Sequence, residues 1–270
     1  MNRFQTKRGA YRYVNPDGST YDKECFFFSD TGLPYDYDPH HVINALTKNR
    51  KDISYLEIGV DQGHTFDKIE NVAIKHGVDP YGASKNITHR MSSQMFFAMN
   101  ERFFKHKYDI IFIDAIHLVE FVNHEIEESL KILKEGGLIL LHDTCPLFES
   151  AQMILESDFR VILDDVICAG EKERLHWHEN TAKNDPIGYN GDVWKSVAEY
   201  RMKKDHTIFS IPHACISVIA PREMEEFKAP KLEISEKLEW DHYYHHFDEV
   251  MNPVDMFYFQ QNIGKYLPGR

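Results

Sequence analysis

From residue 52 onward, apolar and polar positions alternate in blocks whose lengths suit strands and helices in turn. "SYLEIGV" (54–60) is a continuous apolar run of the kind a buried strand carries. It breaks into glycine, acid and glycine, and "TFDKIENVAIKHG" follows with Phe66, Ile69 and Ala73 at helical spacing and Gly77 as the expected stop. "VDPYGA" (78–83) then reads as a second strand with its exit loop, and "MSSQMFFAMNERFFKHK" (91–107) as a helix. "YDIIFIDAIH" (108–117) reads as a strand. "NHEIEESLKILKEGG" (123–137) is an amphipathic helix with Ile126, Leu130 and Leu133 inward, Glu127 and Lys131 as an exposed i,i+4 pair, and Gly136 and Gly137 at its end. "LILLHD" (138–143) closes the series as an all-apolar strand. Strands apolar on both faces, separated by helices, predict an α/β fold with a doubly wound, mostly parallel sheet.

Beyond Cys145 the pattern is less regular. One apolar run, "FRVILDDVICA" (159–169), precedes a polar, histidine-rich stretch that ends at "YNGD" (189–192). An insertion of this length after a strand's carboxyl end is where a substrate pocket or lid is built. "VWKSVAEYRMKK" (193–204) predicts a helix with Asp192 as N-cap, and "HTIFSI" and "HACISVIAP" predict an antiparallel hairpin. The tail from residue 222 is charged and ends in an aromatic, helix-like segment. The organisation expected is an N-terminal extension over 1–40, a sheet domain over 41–221 with an insertion at about 145–191, and a helical tail over 222–270 packed on that domain.

Composition narrows this picture. The 270 residues are 42% hydrophobic and 13% aromatic, which is globular composition with enough chain for a large core. A net charge of −12 argues against nucleic acid, whose backbone is bound through Lys and Arg, and favours a small-molecule partner. The four cysteines form no C-x-x-C pair, and the N-terminus lacks the apolar core of a signal peptide, so free thiols and a cytoplasmic location are expected. No apolar run approaches the roughly 20 residues that span a bilayer.

The glycine break is the first candidate site. A strand turning on glycines gathers backbone N–H groups at one point, suited to a small ligand. A dinucleotide site needs G-x-G-x-x-G, and here Asp61 and His64 occupy its second and third glycine positions. What stands is E-x-G-x-x-x-G, from Glu57 through Gly59 to Gly63, and a carboxylate there suits a ligand with an ammonium group. Asp79, at the next strand end, is placed to accept hydrogen bonds from both hydroxyls of a ribose.

"YLEIGVDQG", "GVDPYG", "YDIIFIDAIH" and "GGLILLHDT" resemble successive motifs of the class I S-adenosylmethionine-dependent methyltransferases, in the branch of macrocin O-methyltransferase-like and cephalosporin-hydroxylase-like proteins. The similarity covers about Val42 to Thr144, and "YNGDVWKSV" is similar to a segment of small bacterial members. It implies a Rossmann-like sheet of seven strands, S-adenosyl-L-methionine as cofactor, and O-methylation of a small polar acceptor such as a sugar or a glycan or secondary-metabolite precursor. The cofactor residues expected are Glu57, Gly59, Asp61, Gly63, Asp79 and Asp114.

The family's strand order brings Asp61, Asp114, His117, His142 and Asp143 to one cleft. In relatives, acids at two of these strand ends ligate magnesium. Asp114 and Asp143 match those places, so the resemblance implies Mg2+ or another divalent ion on Asp114, Asp143 and His142; Ala115 and His142 stand where some members have further acids, and His142 suggests an ion other than magnesium. Methyl transfer to a hydroxyl also needs a base, and His117 is the first choice, with His142 second and Asp114 beside them. "HWH" (176–178) and "HYYHH" (242–246) read as surface or interface histidines, Phe96, Phe97, Phe103 and Phe104 as core, and Trp194 as a packing anchor. Ser92, Ser93 and Gln94 could reach an adenine edge. The other classes to separate are a cofactor-binding partner protein without catalysis and a nicotinamide-dependent oxidoreductase. A contact between two copies through the aromatic tail is open.

Overall fold

The computed structural model describes residues 10–14, 20–24, 38–50, 52–147, 149–153, 170, 172, 175, 189–203, 206–234 and 237–266. Strands β1 (Ala10–Val14) and β2 (Thr20–Glu24) form an antiparallel ribbon of their own. The main sheet has six strands in the order β4-β3-β5-β6-β8-β7. Four are parallel: β3 (Ser54–Ile58), β4 (Ile74–Val78), β5 (Tyr108–Ile113) and β6 (Leu133–Leu141). The hairpin β7 (Thr207–Ile211) and β8 (Ile216–Ala220) is as expected, and β8 inserts antiparallel between β6 and β7.

Burial on both faces explains the all-apolar strands. Leu56, Ile58, Ile111, Ile113, Ile139 and Leu141 join one core, whereas their neighbours Tyr55, Ile110, Phe112, Leu138 and Leu140 join the other. The first core is closed by α3 (Val119–Ile132) and α4 (Trp194–Met202), through Val122, Ile126 and Val197. Helix α1 (Pro39–Thr47) closes the second with Val42, Ile43 and Leu46. The tail contributes to both: α5 (Trp240–His245) and α6 (Phe247–Met251) place Tyr243 and Met251 in the first core, and α7 (Met256–Asn262) places Phe259 in the second. Trp194 is the anchor expected, fully buried with its indole N–H donating to Gln152 Oε1 at 2.8 Å.

Three expectations are corrected. The helix expected over 65–77 is a single 3-10 turn, Phe66–Lys68, followed by irregular chain into β4 with Asn71 left-handed at φ 58°. That chain is tied to α1, where the Asn44 amide donates to Lys68 O (2.9 Å) and accepts from Glu70 N (3.0 Å). Gly77 lies within β4, where a Cβ would sit 2.7 Å from Val60 and 3.0 Å from the Phe66 ring, so it is a packing glycine. Likewise α3 ends at Ile132, and Gly136 and Gly137 lie in β6; Lys131 pairs with Glu128 at 2.5 Å. The seven strands implied by the resemblance are six among the described residues. Outside β4 the chain makes only an isolated parallel bridge, Val78 to His89, while "FRVILDDVICA", "HWH", Cys25 and Cys168 lie outside the described residues. Of the phenylalanine stripe on and after α2 (Ser93–Met99), Phe96 and Phe97 are buried and Phe103 is exposed.

Beside that bridge, the His76 ring stands 5.0 Å from His89 and 4.8 Å from His106, with Nδ1 2.8 Å from the Tyr108 hydroxyl. Burial, with the two neighbouring imidazoles adding, pulls His76 down to about 4. Its folded pKa is below the unfolded value, so the linked stability is intact above pH 6.5 and is lost as pH falls toward 4, because only the unfolded chain takes up the proton. Partial exposure discounts the full effect to about 1–2 kcal/mol at pH 5. In urea titrations the loss of stability between pH 7 and pH 5 is expected to shrink by that amount in His76→Gln; an unchanged loss would assign it elsewhere.

Candidate functional site

Ligands of doubly wound sheets collect at the carboxyl ends of strands where the order reverses, here between β3 and β5. The loop after β3 is built for close approach. Gly59 has φ 86°, and a Cβ there would lie 1.9 Å from Asp114 O, so the end of β5 presses directly on this glycine. Gly63 has φ 84°, and its missing side chain leaves room for Asp67 and Ser84. Asp61 is exposed at the tip, also in a left-handed conformation.

Glu57 lies beneath this turn and is 1% exposed. It accepts hydrogen bonds from the Tyr55 hydroxyl and the Phe66 backbone N–H. Burial, reinforced by the nearby Asp114 charge, pushes its carboxyl well above the usual range despite the Tyr55 bond. Sealed beneath the glycine turn, Glu57 supports that turn from below through the hydrogen bonds it accepts.

Asp79 stands at the carboxyl end of β4, as expected. Its Oδ1 accepts from Tyr81 N (2.7 Å) and Gly82 N (2.6 Å), and its Oδ2 from Asp61 N (2.8 Å). It thus stitches two loops together and keeps lone-pair capacity on Oδ2 for one further donor. Arg90 holds the same segment from outside, donating to Gly82 O at 2.8 Å and Ser84 O at 2.7 Å. At the start of α2 the Ser92 hydroxyl is taken up as N-cap by Met95 N, 3.3 Å away.

The cluster at the ends of β5 and β6 forms a ring alternating carboxylate and imidazole. Asp114 follows β5, and His142 and Asp143 follow β6, with His142 N donating to Ile113 O at 3.0 Å. His117 reaches in from the loop before α3. His117 Nε2 is 3.5 Å from Asp114 Oδ1 and 3.2 Å from Asp143 Oδ2; His142 Nδ1 is 3.2 Å from each of the same two oxygens. Burial opposes ionisation of Asp114, but the His142 and His117 charges outweigh it and hold its carboxyl well below the usual range. For His142 the balance runs the other way: burial lowers it, and Asp143 and Asp114 raise it well above an ordinary histidine. Four of the five residues expected in the cleft therefore meet at one point.

The segment 189–192 locks this ring. The Asn190 amide donates to Asp143 Oδ1 at 2.7 Å, and the Tyr189 ring lies 5.3 Å from that of His117. Gly191 packs on His117 so closely that a Cβ would fall 2.0 Å from its carbonyl oxygen. Asp192 is not the cap of α4. It is 6% exposed, its N–H donates to His117 O (3.1 Å), and its Oδ1 accepts from Val119 N at the start of α3 (2.8 Å). Asn190, Tyr189 and Arg90 were not anticipated; the "YNGD" string was the one signal, with its acid singled out in place of the asparagine. The neck of the insertion closes here as well, since Ala151 O accepts from both Asn190 N (2.8 Å) and Gly191 N (3.1 Å).

Residues 34–178, more than half of the chain, match the methyltransferase domain family. No curated protein matches the chain. Among solved structures it is similar to an O-methyltransferase from Bacillus cereus in complex with SAH (13% identity, 70% of this chain and 85% of that one, TM-score 0.37). It is also similar to TomG, an O-methyltransferase of Streptomyces achromogenes involved in tomaymycin synthesis, in complex with SAM (11%, 68% and 78%, TM-score 0.38). A third is MycE of mycinamycin biosynthesis, in complex with Mg, SAH and mycinamycin VI (12%, 72% and 51%, TM-score 0.38). At these values none carries a residue's role to this chain. The match over residues 34–178 does carry the family, and the chain belongs to the methyltransferase domain family as an S-adenosylmethionine-dependent methyltransferase.

Proposed function

We propose that the protein transfers the methyl group of S-adenosylmethionine to an oxygen of a small polar acceptor, a sugar or a glycan or secondary-metabolite precursor. The observation that supports this is the ring of Asp114, His117, His142 and Asp143 beside the glycine turn. Displacement at a sulfonium methyl needs an aligned nucleophile, and a hydroxyl becomes a good nucleophile only as its proton leaves. His117, whose Nε2 faces Asp114 and Asp143 from the loop before α3, is placed to take that proton, with His142 beside it as the second choice. Asp114 and Asp143 stabilise the imidazolium that results. Asp114, His117 and Asp143, whose ligand atoms lie within 4.8 Å of one another, also fit a divalent ion, whose chemistry when bound is to lower the acceptor hydroxyl's pKa; His142 stands outside that group.

In this reading the turn from Gly59 to Gly63 receives the methionine portion, and Asp79 accepts from a ribose hydroxyl. Asp79→Ala is expected to weaken cofactor binding by on the order of 1–3 kcal/mol. It is also expected to lower the melting temperature, because three backbone donors lose their acceptor. Calorimetry with the demethylated product beside a melting curve separates the two; unchanged affinity would place the ribose elsewhere.

The function itself is tested by calorimetry with S-adenosylmethionine, its demethylated product and NAD, then by transfer of labelled methyl to sugars and glycosides alongside amine and thiol analogues. Methylated hydroxyl products are expected. Methylation of amines or thiols alone would overturn the oxygen assignment, and cofactor binding without any product would favour a non-catalytic partner protein.

A further inference from the structure

An aspartate carboxylate turns easily about its last torsion, whose wells are broad and roughly two-fold. Asp143 therefore needs something besides its own backbone to keep one oxygen toward the imidazoles. Asn190 supplies it. This residue is fully buried, and its Nδ2 donates to Asp143 Oδ1 at 2.7 Å, which leaves Oδ2 as the oxygen 3.2 Å from both His117 Nε2 and His142 Nδ1. The amide is itself fixed: Nδ2 also donates to Cys215 Sγ at 3.3 Å, and the reverse orientation would set a carbonyl oxygen against the carboxylate. We infer that Asn190 is a positioning residue for methyl transfer, acting through Asp143, whose carboxylate plane it fixes so that Oδ2 faces His117.

The identity of the side chain carries this. The neck bonds of Asn190 and Gly191 to Ala151 O come from backbone N–H groups, which any residue but proline would supply, so an asparagine at 190 matters for what its amide holds. Asp143 is also in a left-handed conformation, φ 54°, and only 7% exposed, a backbone that a residue other than glycine keeps where its surroundings hold it. The same short segment places the other partner. Two residues after Asn190, Asp192 N donates to His117 O at 3.1 Å and its Oδ1 accepts from Val119 N at 2.8 Å, while Gly191 packs on the His117 carbonyl. Carboxylate and imidazole are thus both referred to one three-residue stretch.

This inference rests on the proposed function in taking His117 as the base. It is tested in the whole chain with Asn190→Ala and Asn190→Leu, which remove the amide donor and bracket its size, and with Gln152→Leu, which removes the Trp194 partner at the neck. With labelled cofactor, both Asn190 variants are expected to lower kcat by about 10²-fold, the scale of a small misplacement of reacting groups, with acceptor KM and affinity for the demethylated cofactor within about threefold of wild type. Gln152→Leu should keep kcat within about threefold. In an Asp143→Ala background, Asn190→Ala should cost no more than about twofold, because a residue that acts through Asp143 has nothing left to act on. Nitrogen NMR of the imidazoles gives a readout independent of turnover: the His117 signals, assigned by their loss in His117→Gln, are expected to shift in the Asn190 variants and to stay in place in Gln152→Leu. Unchanged kcat in both Asn190 variants, an equal loss with and without Asp143, or cofactor affinity falling as far as kcat overturns the inference and leaves the function standing. Shifted His117 signals in a protein whose wild type methylates no hydroxyl acceptor overturn the function and leave the placement of Asp143 by Asn190 intact.

Discussion

His117→Ala is expected to slow methyl transfer by roughly 10²–10⁴-fold, the scale of general-base catalysis, with cofactor affinity within about twofold of wild type. The reasoning is geometric. His117 Nε2 lies within 3.5 Å of both cluster carboxylates, so a proton taken there is stabilised at once. Asp79 is held by Asp61, Tyr81 and Gly82, so the cofactor should bind as before. Single-turnover assays with labelled cofactor report the chemical step, and calorimetry reports binding. A rate within tenfold of wild type would remove His117 from the mechanism. A large loss of cofactor affinity would make it a binding residue.

Gly59→Ala is expected to have the largest effect on stability. The added methyl would sit 1.9 Å from Asp114 O and 2.5 Å from Asp114 C, and at φ 86° an L-residue is strained even in open space. Strain of about 1–3 kcal/mol combines with forced separation of β3 from β5, for a total on the order of 3–5 kcal/mol and a melting temperature lower by roughly 10 °C. Gly264 provides the control: a methyl added there would meet nothing within 4 Å, so Gly264→Ala should fall within about 0.5 kcal/mol of wild type. Equal melting temperatures for Gly59→Ala and wild type would show that the ends of the two strands separate without cost. That would remove the rigid floor on which the site is placed.

The strands were legible because burial on both faces leaves a signal that no helix of that length shares. "YLEI", "IIFI" and "LILL" each split between two cores residue by residue, and their carboxyl ends carried the chemistry with them. What misled was periodicity without context. Phe66, Ile69 and Ala73 fit a helical stripe, yet only ten residues separate Gly63 from β4, and Asn44 takes up the backbone groups that a helix would have paired internally. Gly77, Gly136 and Gly137 looked like helix stops because sequence does not reveal which side chain will close over a glycine in a strand. Glu57 reads as a ligand from its place in the motif, and the sequence does not show that it also accepts from the Tyr55 hydroxyl and the Phe66 N–H. Asn190 reads as a loop residue because its partner Asp143 lies 47 positions away.

The closed neck at Ala151 changes how the segment behind it can evolve. Because Asn190 and Gly191 return to the carbonyl of Ala151, and Trp194 to Gln152, the chain between these points leaves and re-enters the fold at one fixed doorway. Loop-closure entropy makes doubling such a segment cost only about 0.6 kcal/mol. The doorway keeps Asn190 on Asp143 whatever length of chain joins its two sides. Chimeras that graft this span from another member of the family should keep their affinity for the demethylated cofactor and differ in the molecule they methylate.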